Sequence, residues 1–262
     1  MSDFILRPAA QADREQIIEL WHRAFGDSRE FISDMLGCGL LESAVGAECE
    51  GTLRSVMFAF DGLEICGKRA SYLLALCTQP EFRGRGMGKA VVGYAAAQAE
   101  KRGAELVFLR PADAGLERWY AENLGATVSA RCKVKNYEFH PHPQLKARRI
   151  SAGEYRALRM GGWSLNGDIL EAQDCVHRHF GGAFLEFEGS LICAEGCGEN
   201  LLVRELISRE PERALEAAAG YFGTEKLALL CTGDEGTALM LLPGAFPSGK
   251  IPDTGFLPFT FD

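Results

Sequence analysis

The chain has 262 residues, 47% of them hydrophobic and 24% charged, with 30 glycines and 10 prolines; this excludes disordered, collagen-like and low-complexity classes and allows one large domain or two modest ones. Its 28 basic and 36 acidic residues give a formal net charge of −8, so there is no broad basic surface for a nucleic-acid backbone, and the field favours cationic small molecules such as amines. Nine scattered cysteines and a start without an apolar leader predict a reducing, cytoplasmic setting, and no run approaches the ~20 apolar residues of a membrane span.

In chain order, Phe4 to Arg7 reads as a short strand. After Pro8, Asp13 heads an apolar-periodic helix through Ile17, Ile18, Trp21, Ala24 and Phe25, closed by Gly26. A shorter helix, about Arg29 to Leu36, ends at Gly37. Ala44 to Cys49 and Thr52 to Phe60 read as antiparallel strands joined at Glu50-Gly51, and Asp61-Gly62 as another turn. Ala70 to Cys77 is nearly all apolar or small, which suits a central strand covered on both faces. Pro80 stops it. Arg83-Gly84-Arg85-Gly86-Met87-Gly88 then runs straight into a helix from Lys89 to Arg102, closed by Gly103. Leu106 to Leu109 is a short buried strand, Asp113 caps a helix through Leu124, and Thr127 to Phe139 is a further strand. The order β-α-α-β-β-β-α-β-α-β describes an α/β (α+β) mixed sheet with helices on both faces.

The segment from 141 to 149 is Pro-rich, then basic, and reads as a linker between domains 1–140 and 150–262. Beyond it, Ala183 to Glu188, Leu191 to Ala194, Leu201 to Ile207, a helix from Pro211 to Tyr221 and Lys226 to Cys231 repeat the order β-β-β-α-β. No metal site is expected, because Cys193/Cys197, His140/His142 and His177/His179 each lack a second pair at zinc-ligand spacing.

The chemistry lies in the glycine-rich turn. Unpaired N–H groups at a helix start, together with the macrodipole, attract an anion, glycines let backbone approach it, and Arg83 and Arg85 add cationic forks. Read alone, such a turn is an ordinary solvated loop. A nucleoside-triphosphate loop is excluded because Lys89 is followed by Ala90, which has no hydroxyl for magnesium. A dinucleotide fingerprint would follow the first strand of its unit, whereas this turn follows the fourth.

Leu76-Cys77-Thr78-Gln79-Pro80-Glu81-Phe82-Arg83-Gly84-Arg85-Gly86-Met87-Gly88 resembles the acetyl-coenzyme A motif of the GNAT superfamily, Gln/Arg-x-x-Gly-x-Gly/Ala, with Arg83, Gly86 and Gly88 at its fixed positions. Trp119-Tyr120 followed by Leu124-Gly125 resembles the family's second motif. Together these cover about Phe4 to Phe139 and imply a GNAT-like fold. They also imply an acyl-CoA-dependent N-acyltransferase that moves an acetyl group from acetyl-CoA, as co-substrate, to a primary amine of a small molecule or peptide by direct attack in a ternary complex.

In that resemblance the backbone of Leu76, Cys77 and Thr78 holds the acetyl carbonyl and pantetheine arm where two parallel strands splay. Arg83, Gly84, Arg85, Gly86, Met87, Gly88 and Lys89 hold the pyrophosphate, and Tyr120 is the general acid for the leaving thiolate. The general base is unassigned; Glu42, Glu48 and Asp113 are candidates that spacing does not separate from solvated carboxylates. Cys77 has no partner base in the sequence and reads as a strand residue. The later half, where Ser208-Arg209-Glu210-Pro211 stands in place of the glycines, resembles the degenerate second domain of tandem GNAT proteins. In some relatives that carry a further lipid-carrier-like domain, for which this chain is too short, a C-terminal carboxylate is the base, which would point to Asp262. The expected partner is a small-molecule amine, with neither nucleic acid nor membrane, and a homo-oligomer is compatible. The alternative function is a non-catalytic acyl-CoA binding or sensing module.

Overall fold

The computed structural model of the chain describes residues 4–65, 67–140, 144–159, 163–165, 167–197 and 200–243. They form two compact units. The first combines the chain up to Ser129 with the stretch that starts at Thr237, and the second is Ala130–Gly236.

The first unit contains β1 (Ile5–Pro8), α1 (Arg14–Phe25), α2 (Arg29–Met35), β2 (Ala44–Cys49), β3 (Thr52–Ile65), β4 (Lys68–Thr78), α3 (Met87–Lys101), β5 (Leu106–Leu109), α4 (Ala114–Leu124) and the opening of β6 (Thr127–Glu138). In the second lie the rest of β6, β7 (Arg148–Ile150), α5 (Ala152–Leu158), β8 (Trp163–Leu165), α6 (Gly167–Phe180), β9 (Ala183–Phe187), β10 (Ser190–Cys197), β11 (Asn200–Ile207), α7 (Pro211–Phe222) and β12 (Lys226–Gly233). β13 (Thr237–Leu241) returns to the first unit and pairs antiparallel with β5, Met240 opposite Leu109.

The partition therefore differs from 1–140 and 150–262. The chain changes unit inside β6, and the segment 144–149 belongs to the second unit, where Arg148–Ile150 pairs with β9. Pro141 to Pro143 lie outside the described residues. The last strand joins the first unit because β5, apolar on both faces, has its parallel ladder to β4 on one side only and needs a second neighbour.

In the first unit's sheet, order β1-β2-β3-β4-β5-β13, all pairings are antiparallel except β4 with β5. α1 and α2 cover one face, where Trp21 meets Phe31 and Phe58 with ring centroids 6.4 and 5.2 Å apart. On the other face α3 buries Met87, Val91, Val92 and Ala95 against Val45, Met57, Leu73 and Leu109. Each buried large apolar side chain contributes about 1.5–3 kcal/mol. Asp61-Gly62 is not a chain reversal: β3 runs through it, and the register shift between Phe60 and Leu63 makes it a bulge, with Gly62 at φ +89. The reversal comes at Gly67, φ +74.

The second unit's sheet runs β6-β12-β11-β10-β9-β7, with β11 and β12 parallel. On one face α7 packs against Leu185, Ile192, Val203 and Leu227. Toward α5 and α6 there is a buried polar group instead. The Tyr155 hydroxyl donates to Glu205 at 2.6 Å, Arg159 pairs with Glu205 at 2.7 Å and Arg204 with Glu195 at 2.5 Å. Gln173 donates to Glu195 at 3.2 Å and approaches His177 Nε2 at 3.1 Å. Burial draws the His177 pKa down to about 3, with Arg149 and Arg204 acting the same way, so the ring is uncharged at neutral pH. The same burial pushes the thiol of its neighbour Cys193 up, which leaves this Cys–His contact, at 3.6 Å, without a thiolate. No helix of the described residues is long and apolar enough to cross a membrane.

Candidate active site

The site is built where β4 outruns its parallel neighbour. The β4–β5 ladder ends at Leu73 opposite Leu109; β4 continues to Thr78, while the chain after β5 turns away at Pro111, which has no N–H to offer. On the β3 side the register slips between Val56 and Phe58, so that Ala75 and Leu76 face the single residue Met57, and Ala75 sits at φ +52. Leu76 thus lies outside the registered pairs of both ladders, at the bulge. Cys77 and Thr78 return to register with Val56 and Ser55. The Cys77 carbonyl accepts from Ser55 Oγ at 2.8 Å, and the Thr78 carbonyl from Arg83 Nε at 3.1 Å. Burial pushes the Cys77 thiol pKa well up, so it is protonated and not a nucleophile.

After Thr78 the chain makes one short turn, Pro80–Phe82, and reaches the glycines. Gly84 and Gly86 sit at φ +73 and +77, a region costly to any residue with a Cβ, and a Cβ at either would meet nothing within 4 Å. Gly86 is the N-cap of α3, and no side chain caps that helix. The first intrahelical bond there runs from Ala90 N–H to Gly86, which leaves the amides of Met87, Gly88 and Lys89 unclaimed by the helix. A Cβ on Gly88 would lie 3.7 Å from Leu76 Cδ2 and from Thr78 Oγ1, so the helix start and the end of β4 face each other across a narrow gap. Among the described residues Arg83, Arg85 and Lys89 have no carboxylate partner. Open glycines, uncapped amides and unpaired cations are the chemistry of a phosphate cradle.

Tyr120 lies on α4, capped at Asp113, whose carboxylate accepts from Leu116 N–H at 2.8 Å. It belongs to the same cluster as Met87, Leu109 and the partly buried Leu76, edge-on to Trp119 at 5.1 Å. Only 6% of Tyr120 is exposed, and burial pushes its pKa up to about 12. Its hydroxyl therefore keeps its proton at neutral pH. Among the described residues no partner takes that proton.

The three candidate carboxylates are not brought together. Asp113 is committed to capping, Glu48 accepts from Arg7 Nε at 2.6 Å, and Glu42 is exposed. Asp262 lies outside the described residues. Sequence reading missed another carboxylate. Asp27, between the α1 C-cap Gly26 and the α2 N-cap Ser28, accepts from the Trp21 indole at 2.6 Å, and its charge acts on the Cys77 thiol at the end of β4. Gly-Asp-Ser between two helices reads as ordinary capping, so no local signal marks it.

Residues 6–121 match the family model described as an acetyltransferase (GNAT) domain. The matched residues, fewer than half of the chain, lie in the first unit. No curated protein matches the chain in sequence. Among solved structures, the chain is similar to a GCN5-related N-acetyltransferase from Kribbella flavida, with TM-score 0.69 and 15% identity over 93% of this chain and 72% of that one. It is similar also to Eis1 from Mycobacterium abscessus, with TM-score 0.62 and 13% identity over 90% and 72%. A putative acetyltransferase from Pyrococcus horikoshii gives TM-score 0.62 and 11% identity over 97% and 94%. At such identities the likeness is one of fold, and it extends over more of the chain than the family model covers.

Proposed function

We propose that the protein is an acetyl-CoA-dependent N-acetyltransferase that acylates a primary amine of a small molecule by direct attack in a ternary complex. The observation that carries this is the uncapped start of α3 behind two open left-handed glycines, facing the part of β4 that neither ladder pairs. In this reading the amides from Gly84 to Lys89 hold the pyrophosphate and the peptide groups at Leu76 meet the thioester carbonyl, where negative charge grows as the amine attacks. The Tyr120 hydroxyl gives its proton to the departing sulfur, a role supported by a pKa that keeps the proton in place until needed. The second oxygen of Asp27, left over by the Trp21 indole, receives the incoming ammonium, in accord with the net charge of −8.

The second unit fits as an acetyltransferase-like partner domain without a cradle. Its β9-β10-β11-α7-β12 order matches β2-β3-β4-α3-β5, but α7 starts on Glu210 and Pro211. A cytoplasmic setting agrees with the free state of the described cysteines. A screen of small amines, followed by release of the free thiol of coenzyme A, tests the activity. Some amine should liberate thiol in proportion to enzyme; binding of acetyl-CoA with no thiol release from any amine would leave a sensing module instead.

A further inference from the structure

We infer that Arg54, which no motif picks out, forms with Arg85 and Phe82 a second phosphate-binding subsite, for the nucleotide part of the acyl-CoA. This rests on the acetyltransferase reading above. Arg54 lies on β3 opposite Gln79, whose N–H donates to the Arg54 carbonyl at 2.9 Å. Its guanidinium lies 4.9 Å from the centroid of the Phe82 ring, and that of Arg85 lies 5.1 Å from the same centroid. One Arg54 N–H donates to Gln79 Oε1 at 3.0 Å, whereas Nε is buried with no partner.

Two guanidiniums on one ring repel each other, and a buried orphan donor is costly. Several other arginines are matched to carboxylates. Arg7 has Asp13 and Glu48, Arg29 has Glu15 and Glu19, Arg148 has Glu154 and Glu186, and Arg213 has Glu188 and Glu210. Among the described residues Arg54 and Arg85 have no carboxylate, although acidic residues outnumber basic ones 36 to 28. A phosphate bound between them would relieve the repulsion and use the guanidinium forks. The main-chain amides of the turn already serve one phosphate group, so the side-chain pair serves either its outer oxygens or the ribose 3′-phosphate.

The test is calorimetric titration of coenzyme A and of 3′-dephospho-coenzyme A into the wild type and into Arg54→Gln and Arg85→Gln, with thermal melts to check folding. Arg85 lies in an exposed turn, so its variant remains informative should Arg54→Gln fold poorly. Each variant should weaken coenzyme A binding about ten- to a hundredfold and flatten its salt dependence. Loss with coenzyme A alone assigns the subsite to the 3′-phosphate, and equal loss with both ligands assigns it to the pyrophosphate. Wild-type affinity in both folded variants would overturn the inference and leave the acetyltransferase reading standing. No binding of either ligand by the wild type would overturn that reading, and the subsite with it.

Discussion

Replacing Gly88 by Asp should stabilise the protein and at the same time disable it. Gly88 is the second residue of α3, with no positive φ, and a Cβ there would touch Leu76 and Thr78 at ordinary contact distance, 3.7 Å. Removing a helical glycine gains about 0.5–1 kcal/mol, and an acid in the first turn gains about 0.3–1 kcal/mol from the macrodipole. The apo protein should therefore melt slightly higher. The new carboxylate, however, stands where the cradle would hold phosphate. Two unit charges about 4 Å apart repel by ~1 kcal/mol in water and ~4 kcal/mol at an effective dielectric near 20, which is a loss of affinity between about fivefold and a thousandfold. Gly88→Asn has the same size without the charge, so the difference between the two variants isolates the electrostatic part. Calorimetric titration of acetyl-CoA measures it, and raising the salt should narrow the gap. Equal affinity for the Asp and Asn variants would refute the cradle, because no arrangement that holds a phosphate at these amides is indifferent to a carboxylate among them.

Tyr120→Phe should leave acetyl-CoA affinity unchanged and lower kcat about a hundredfold. With the Tyr120 pKa at about 12, the wild-type rate should rise with pH as the amine deprotonates and show no fall from loss of the tyrosine proton below about pH 12. A kcat equal to wild type would return Tyr120 to the core. Asp27→Asn should raise KM for the amine about tenfold, as expected for loss of a charge-assisted contact, with acetyl-CoA affinity intact; an unchanged KM removes it from the acceptor site. His177 predicts a stability profile. Its folded pKa, about 3, lies below the ordinary value, so between the two only the unfolded chain takes up the proton and stability falls as pH drops. The slope is about 1.4 kcal/mol per pH unit below ~6.5, or about 2 kcal/mol lost by pH 5. Urea unfolding of the wild type and of His177→Leu should show that loss in the first and a flatter profile in the second. Parallel profiles would contradict a buried neutral imidazole.

What could be read ahead of the structure was local. Gly84 and Gly86 stand in the turn because their φ values demand it, and the helix behind them has its own periodicity. What could not be read was long-range. Nothing in Thr237–Leu241 says that it pairs with β5, more than a hundred residues earlier, and Asp61-Gly62 has the same composition whether it reverses a chain or bulges a strand. Arg54 and Asp27 gain meaning only beside Phe82 and Trp21. α6 was missed for a different reason: Gln173, His177 and Cys175 interrupt the apolar spacing of Ile169, Leu170 and Val176, yet all are buried.

The strand-to-helix junctions before α3 and α7 show how much a local difference decides. Both follow a strand paired in parallel with the next one, and both parallel ladders stop short of the strand's end, at Leu73 in β4 and at Val203 in β11. A helix start at such a gap attracts an anion in either unit. Before α7, however, that anion is built in. Glu210 is the N-cap, its N–H donates to Ser208 Oγ at 3.0 Å, its carboxylate is held by Arg213 at 2.9 Å, and Pro211 supplies no N–H at all. Before α3 the corresponding space is left to glycine and to cations without carboxylates. The Gly88→Asp variant would give α3 a fixed charge of the kind α7 already carries, so its predicted loss of acetyl-CoA binding also tests whether a built-in carboxylate bars phosphate from such a junction.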